Sequence, residues 1–486
     1  MKFNIRNEEN LTLLTDLYQL TMMQIYTEDE EEIGCFDMFF RKNPDKASFT
    51  VFAGLENVID YVQNIKFEED DLDYLRTLDL FDEEFIDYLR NFKFECDVWA
   101  MPEGTVVFPN EPLLTVRGSV AQAQFVETTI LNLINHQTRI ATKSERIVRA
   151  ADGRRVMEFG LRRAHGATAG INGARASYIG GMAGTSNVLA GKRYGIPVMG
   201  TMAHSFVQKA KNEYEAFARY AKRYPDTTTL LVDTYDVLKS GIPNAIKIAK
   251  EILEPQGHKL RGIRIDSGDL LTLSKETRKM LDDAGLDYVK ITISDSLDEF
   301  EIKRLVEEGA PIDGLGVGER NITAKSDPVL GGVYKLTEIE TGEGLHVAKI
   351  KKSETKEKIT NPGFKKTWRV YNSKTNIAMG DVLTLANEEI DTCKMEDYIN
   401  DETLREAMLV EDYIVKELMV PIFQKGKLVY EVPTLEEVRD FCRAQVETLT
   451  DEVIRFEEPE NYTVALSEKL DNLKDDLIEE IYEMTA

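Results

Sequence analysis

The sequence predicts an α/β protein whose main body is built on parallel strands, as in a TIM-like α/β barrel, preceded by an amino-terminal α/β domain. Three observations predict it. Six short apolar runs follow one another at residues 156–162, 196–204, 230–233, 263–266, 289–295 and 314–318. Between them lie helix-like stretches with Gly, Asp or Pro at the joints, the alternation that builds parallel sheets. Each run also ends in residues able to carry chemistry, and a parallel barrel gathers its chemistry at the carboxyl ends of its strands.

The elements follow in chain order. Residues 1–140 read as the amino-terminal α/β domain, with helix-compatible spacing over 11–26, a strand or turn and then an amphipathic helix over 49–65, and acidic helices over 67–92. Residues 97–117 are β-rich, with Val98, Val106, Val107, Leu113, Leu114 and Val116 interrupted by Pro102, Gly104, Pro109 and Pro112. One long helix over about 120–150, carrying Phe125, Ile130, Leu131, Ile134 and Ile140, joins this domain to the next. The second region covers 141–486, with the barrel core at about 150–330 and a carboxyl-terminal segment over 331–486. In that segment, residues 331–390 are strand-rich, Thr434 and Glu437 make a capping box, and Leu466, Leu470, Leu473, Leu477 and Ile481 share one helical face.

With 486 residues the chain has room for two or three domains and a core that needs no disulfide. Its net charge of −26 argues against a nucleic-acid surface, because phosphate backbones are bound by clustered cations. An anionic substrate must therefore be caught by a few local Arg and Lys residues and by backbone N–H groups. Cys35, Cys96, Cys393 and Cys442 lack the spacing of a zinc or redox motif, and scattered thiols fit a cytoplasmic protein. Neither a signal peptide nor a membrane span is expected.

His204 and Asp233 end two successive apolar runs. A carboxylate bonded to one ring nitrogen fixes the tautomer and makes the other a better nucleophile or base. Arg264 and Asp266 alternate onto one face of a strand, and an Arg in an apolar strand needs an anionic partner. Ser267 and Asp269 serve equally well as helix caps. The glycines of 314–318 suit either a turn or a close approach of backbone N–H groups to phosphate. Phe159, followed by Arg162 and Arg163, offers an aromatic platform with two cations.

Arg, His and Asp beside a phosphate cradle point to a phosphorylated anionic substrate. A metal hydrolase wants several His ligands, and this chain has five His without a His-x-His pair. A Schiff-base lyase needs a buried Lys, for which Lys290, on a face with Thr292 and Ser294, is the candidate. Group transfer from a phosphorylated sugar needs cations, Gly-rich loops and carboxylates near the ribose, and all three are present.

Leu14-Thr15-Asp16-Leu17-Tyr18-Gln19-Leu20-Thr21-Met22, Glu158-Phe159-Gly160-Leu161-Arg162-Arg163-Ala164, Gly200-Thr201-Met202-Ala203-His204-Ser205 and Gly262-Ile263-Arg264-Ile265-Asp266-Ser267-Gly268-Asp269-Leu270 are similar to motifs of nicotinate phosphoribosyltransferases. So are Gly331-Gly332-Val333-Tyr334-Lys335-Leu336 and the stretch from Lys352-Ser353 through Lys358 to Thr360, Pro362 and Gly363. The resemblance implies an irregular, incomplete α/β barrel. It also implies formation of nicotinate mononucleotide from nicotinate and phosphoribosyl pyrophosphate, with Mg²⁺ and with ATP as co-substrate, in NAD salvage.

By the same resemblance, His204 is phosphorylated by ATP with Asp233 as its partner, and Asp266 completes the catalytic set. Tyr18, Phe159, Arg162, Thr201 and Arg264 would bind substrate, with Arg264 at the nicotinate carboxylate and Tyr18 reaching in from the second subunit of a homodimer. Amides around Gly316 and Gly318 would meet phosphate, while Asp233, Asp236, Asp266 and Asp269 all stand as metal candidates. Nicotinamide-specific relatives carry an Asp where Ser186 stands, a charge that would repel a carboxylate. Glu319 departs from the small hydroxyl residue of many relatives.

Overall fold

The computed structural model describes residues 10–28, 32–351 and 359–485 and separates into two compact units, Ile140–Pro328 and the pair Met1–Arg139 with Val329–Ala486. The motif residues Lys352 to Lys358 lie outside the described residues.

In the discontinuous unit, an antiparallel seven-stranded sheet runs in the order His346–Ala348, Gly332–Glu340, Ile33–Phe40, Leu114–Ser119, Asp97–Ala100, Val420–Gln424 and Lys427–Leu428. The carboxyl-terminal segment, grouped with the barrel in the sequence reading, thus belongs with the amino-terminal segment. The cause is strand pairing: Phe36 faces Leu336 and Phe40 faces Gly332 across hundreds of residues. The first helix is shorter than its apolar spacing suggested and spans Leu17–Tyr26. The expected helix over 120–150 is two, Val120–Phe125 and Glu127–Ala150, because Val126 between them has ψ near −6° and tightens the turn. The capping box forms, with the Glu437 N–H donating to Thr434 Oγ1 and the Thr434 N–H donating to Glu437 Oε2.

A second sheet of this unit, in the order Tyr413–Glu417, Lys365–Asn372, Ala378–Leu385 and Val464–Leu466, encloses a charged core. Arg369 is fully buried and donates twice to Asp381, at 2.7 and 2.6 Å, and once to the Val106 carbonyl at 2.8 Å. Phe108 and Tyr462, stacked 3.7 Å apart, both lie beside the guanidinium, and the Tyr462 hydroxyl donates to Asp381. Burial and the Asp381 charge push the neighbouring Glu111 carboxyl well above its ordinary range. Truncating one partner of such a pair strands the other charge. Arg369→Leu is accordingly expected to lower stability by about 3–5 kcal/mol, and replacing Arg369 and Asp381 together by apolar residues less. Chemical denaturation of both variants checks this.

The continuous unit holds five parallel strands: β1 (Arg155–Glu158), β2 (Thr229–Leu231), β3 (Gly262–Ile265), β4 (Lys290–Ser294) and β5 (Gly314–Val317). Their spatial order is β1-β5-β4-β3-β2, in register at Arg155, Gly314 and Thr292, and at Lys290, Gly262 and Thr229. Val156, Leu230, Leu231, Ile263, Ile265, Ile291, Ile293, Leu315 and Val317 are all buried, as expected of strands covered on both faces. The run at 196–204 is no strand. It contributes a single parallel bridge, Val198 to Thr185, which in turn bridges Glu158 at the end of β1. Pro197 supplies only a carbonyl there, to the Thr185 N–H, which keeps the pairing short. Among the described residues nothing pairs Val198 with β2, so the barrel is incomplete, as the resemblance implied. Buried Glu299 binds Lys143 at 2.7 Å and Arg146 at 3.0 Å, tying the helix Glu299–Glu307 to the end of the helix Glu127–Ala150. No helix among the described residues is long and apolar enough to cross a membrane.

Candidate active site

At the carboxyl ends of these strands lies a cavity of about 290 Å³ lined by Phe159, Arg162, Arg163, Ser186, Gly200, Arg264, Asp266, the 294–297 turn, Gly316 and the segment 318–320. Phe159 follows β1, where its N–H donates to the Val317 carbonyl at 2.7 Å. Gly316 makes room for its ring: a Cβ on Gly316 would lie 2.6 Å from Phe159 Cδ2. Gly318 precedes Glu319, whose carboxylate is held below its usual range by Lys325, 2.7 Å away.

Arg264 sits in β3 between two fully buried isoleucines. One of its terminal nitrogens lies 3.4 Å from the Met202 carbonyl and 3.8 Å from Asp266, while its Nε is buried without an acceptor. A guanidinium so placed has a donor left for an anion. Asp266 accepts a short hydrogen bond from Ser294, and Asp233 accepts one from Ser267 at 2.6 Å. Asp233 Oδ1 is buried without a partner, and so is Thr201 Oγ1. Buried polar atoms without a partner are costly.

His204 opens the short helix His204–Lys209 and does not end a strand. Its Nε2 lies 3.9 Å from Asp233 and 3.7 Å from Asp266, within electrostatic reach but beyond a hydrogen bond. Nδ1 instead meets Thr234 Oγ1 at 3.1 Å. The expected orientation of the ring by Asp233 is thus replaced by Thr234, with the two carboxylates flanking the other nitrogen. Tyr18, half exposed at the start of its helix, belongs to the other unit.

The four candidate metal carboxylates separate by environment. Asp236 accepts from the backbone N–H groups of Leu238 and Lys239, and Asp269 caps the helix Leu270–Asp283 through Thr272. These hydrogen bonds hold both carboxyls below their ordinary values. Asp266 lines the cavity, whereas Asp233 does not: its side chain is nearly buried, within 3.9 Å of His204. Lys290 is excluded as a Schiff-base nucleophile: it opens β4, is mostly exposed, and pairs with Asp313 at 2.8 Å. Such a nucleophile needs a desolvated amine.

Sequence reading missed Thr234, Arg320, the 295–297 turn and the buried pair Glu158 and Thr185. Thr234 had a signal, adjacency to Asp233. The turn had none, since Asp295 and Ser296 adopt positive φ of 140° and 44° without glycine.

Comparison with known proteins bears on the whole chain. The family model for nicotinate phosphoribosyltransferase matches residues 154–373, with the amino-terminal and carboxyl-terminal domain models of that family at 13–135 and 364–474. A nicotinate phosphoribosyltransferase from Bacillus subtilis is 43% identical over 95% of this chain and 94% of its own length. One from Mycobacterium tuberculosis is 40% identical over 94% and 92%. Among solved structures, human nicotinic acid phosphoribosyltransferase superposes with a TM-score of 0.80 at 29% identity, covering 95% of this chain and 99% of that one.

Proposed function

This chain belongs to the nicotinate phosphoribosyltransferase family, and on that premise we propose that its cavity joins nicotinate to phosphoribosyl pyrophosphate, giving nicotinate mononucleotide and pyrophosphate. The observation that carries the substrate assignment is Arg264, a largely buried side chain, 14% exposed, whose Nε is unmatched and which lines the same cavity as the Phe159 ring. The ring stacks the pyridine while the guanidinium takes its carboxylate. Ser186 adds no negative charge at its place on the wall beside Arg264, so nicotinamide is the poorer substrate.

The pyridine nitrogen already holds a lone pair, and no residue need remove a proton. The bond from the anomeric carbon to pyrophosphate oxygen breaks as the carbon–nitrogen bond forms, and the electron pair leaves with pyrophosphate. Asp266 and Asp233 stabilise the oxocarbenium-like centre, and orientation within the cavity supplies the remainder. Arg162 and the Gly318 amide serve the phosphates, with Gly316 acting as the seat of Phe159, and Thr201 offers its hydroxyl to substrate.

Mg²⁺ usually binds through one or two carboxylates plus substrate phosphates, which suits this site better than a dedicated cage. Among the described residues no group of three or more metal-binding side chains converges, whereas Asp233 carries a buried oxygen with no partner. Asp233 and Asp266 would hold the ion, which when bound would neutralise pyrophosphate charge.

ATP acts as co-substrate by phosphorylating His204. A phosphoryl group adds about −1.5 to −2 charge. Beside Asp233 and Asp266 that charge repels, and the site reorganises around its cations. The reading extends to a cytoplasmic homodimer in which Tyr18 of a second subunit completes the pocket; the half-exposed Tyr18 supports it.

A turnover assay with phosphoribosyl pyrophosphate and Mg²⁺ compares nicotinate with nicotinamide, each with and without ATP. Mononucleotide from nicotinate, accelerated by ATP, is the expected result. Preferential turnover of nicotinamide would overturn the role given to Arg264 and Ser186.

A further inference from the structure

Glu158 ends β1 directly beneath the cavity, yet it does not line it. Its side chain is almost fully buried, and among the described residues its carboxylate has no cationic partner. Burial raises the Glu158 carboxyl above its usual range. An unpaired acid is an expensive way to fill a core position. What it secures is a set of hydrogen bonds that no apolar residue can make.

One carboxylate oxygen takes a short hydrogen bond from the Gly160 N–H, in the turn that carries Phe159 and Arg162. The other takes the Thr185 hydroxyl proton at 2.6 Å. Thr185 Oγ1 in turn accepts from the Asn187 N–H at 3.0 Å, and Asn187 caps the helix Val188–Tyr194 through the N–H groups of Leu189 and Ala190. The Glu158 backbone adds two bonds to the same segment, donating to Gly184 and accepting from Ser186 at 2.9 Å each. The cavity therefore has one wall on the Phe159–Arg162 turn and another at Ser186. A single buried carboxylate bridges them.

We propose that Glu158 is a positioning residue for the acceptor ring: without touching substrate, it sets the gap between the Phe159 turn and Ser186 that an aromatic carboxylate must fit. The proposal rests on the nicotinate reading above. It predicts a selective defect: of the groups given to the phosphates, the Gly318 amide lies outside this clamp, and Arg162, although on the clamped turn, is an exposed, long side chain that can follow its phosphate through a small shift.

The test measures KM for each substrate in E158A, T185V and E158Q, with thermal unfolding alongside. E158A and T185V are expected to raise KM for nicotinate about tenfold and to move KM for phosphoribosyl pyrophosphate by less than about twofold. E158Q should recover most of the nicotinate KM, since its amide oxygen can accept from Gly160 while its NH₂ donates to the Thr185 hydroxyl. A residue that only supported the fold would lower the unfolding temperature and the active fraction and leave KM alone. If E158A does not fold, T185V carries the same comparison. Unchanged nicotinate KM in a folded variant, or equal increases for both substrates, overturns the proposal while the functional reading stands. Failure of the unaltered protein to use nicotinate removes both.

Discussion

His204→Ala is expected to abolish the acceleration by ATP and to leave only slow, ATP-independent transfer. The ring is a nucleophilic group flanked by both carboxylates, with Nε2 3.7 Å from Asp266 and 3.9 Å from Asp233. Phosphorylation there changes local charge by about two units and can couple ATP to the cations around it. Alanine removes the acceptor while Phe159, Arg264 and the phosphate-binding groups stay in place. Initial rates with and without ATP read the ratio directly, and acid-labile phosphate from labelled ATP should appear on the unaltered protein and be absent from the variant. A variant that still responds to ATP, or still carries the label, would place the phosphoryl acceptor elsewhere.

Arg264→Ala is expected to cost about 10²- to 10³-fold in kcat/KM for nicotinate, the range for truncating one partner of a desolvated, hydrogen-bonded charge pair. Most of the loss should fall on nicotinate KM, with nicotinamide affected far less, so that discrimination between the two narrows. Arg264→Lys should recover little, because an ammonium supplies a point charge without the planar fork and would have to reach from a strand held between two buried isoleucines. Equal losses for both pyridines would mean that Arg264 serves the fold or the phosphates instead of the carboxylate.

Much of this site was legible in the sequence because its chemistry sits at strand ends, where a short apolar run points to the residue that follows it. β4 and β5 fall within their apolar runs, β1, β2 and β3 each begin one residue before theirs, and Arg264 and Asp266 share a face as alternation requires. The run at 196–204 misled. It is apolar enough for a strand, but only Val198 pairs, and His204 begins a helix. The partner of His204 was misassigned for a related reason: depth along neighbouring strands places Asp233 correctly to within a few ångströms, yet a hydrogen bond needs tenths, and at that scale Thr234 is the group in reach.

The sequence by itself determined the parallel α/β core, the motifs and thereby the family, and it singled out the arginine, histidine and aspartates proposed for the site, because periodicity and local chemistry are written residue by residue. Only the tertiary structure decided that residues beyond 329 complete the amino-terminal sheet, that Gly316 is empty to seat Phe159, that Lys290 faces solvent, and that buried Glu158 spans two walls of the cavity. Each of these depends on contacts between segments far apart in the chain. Their distances are set by how whole sheets and helices pack, a property that no local stretch of residues carries.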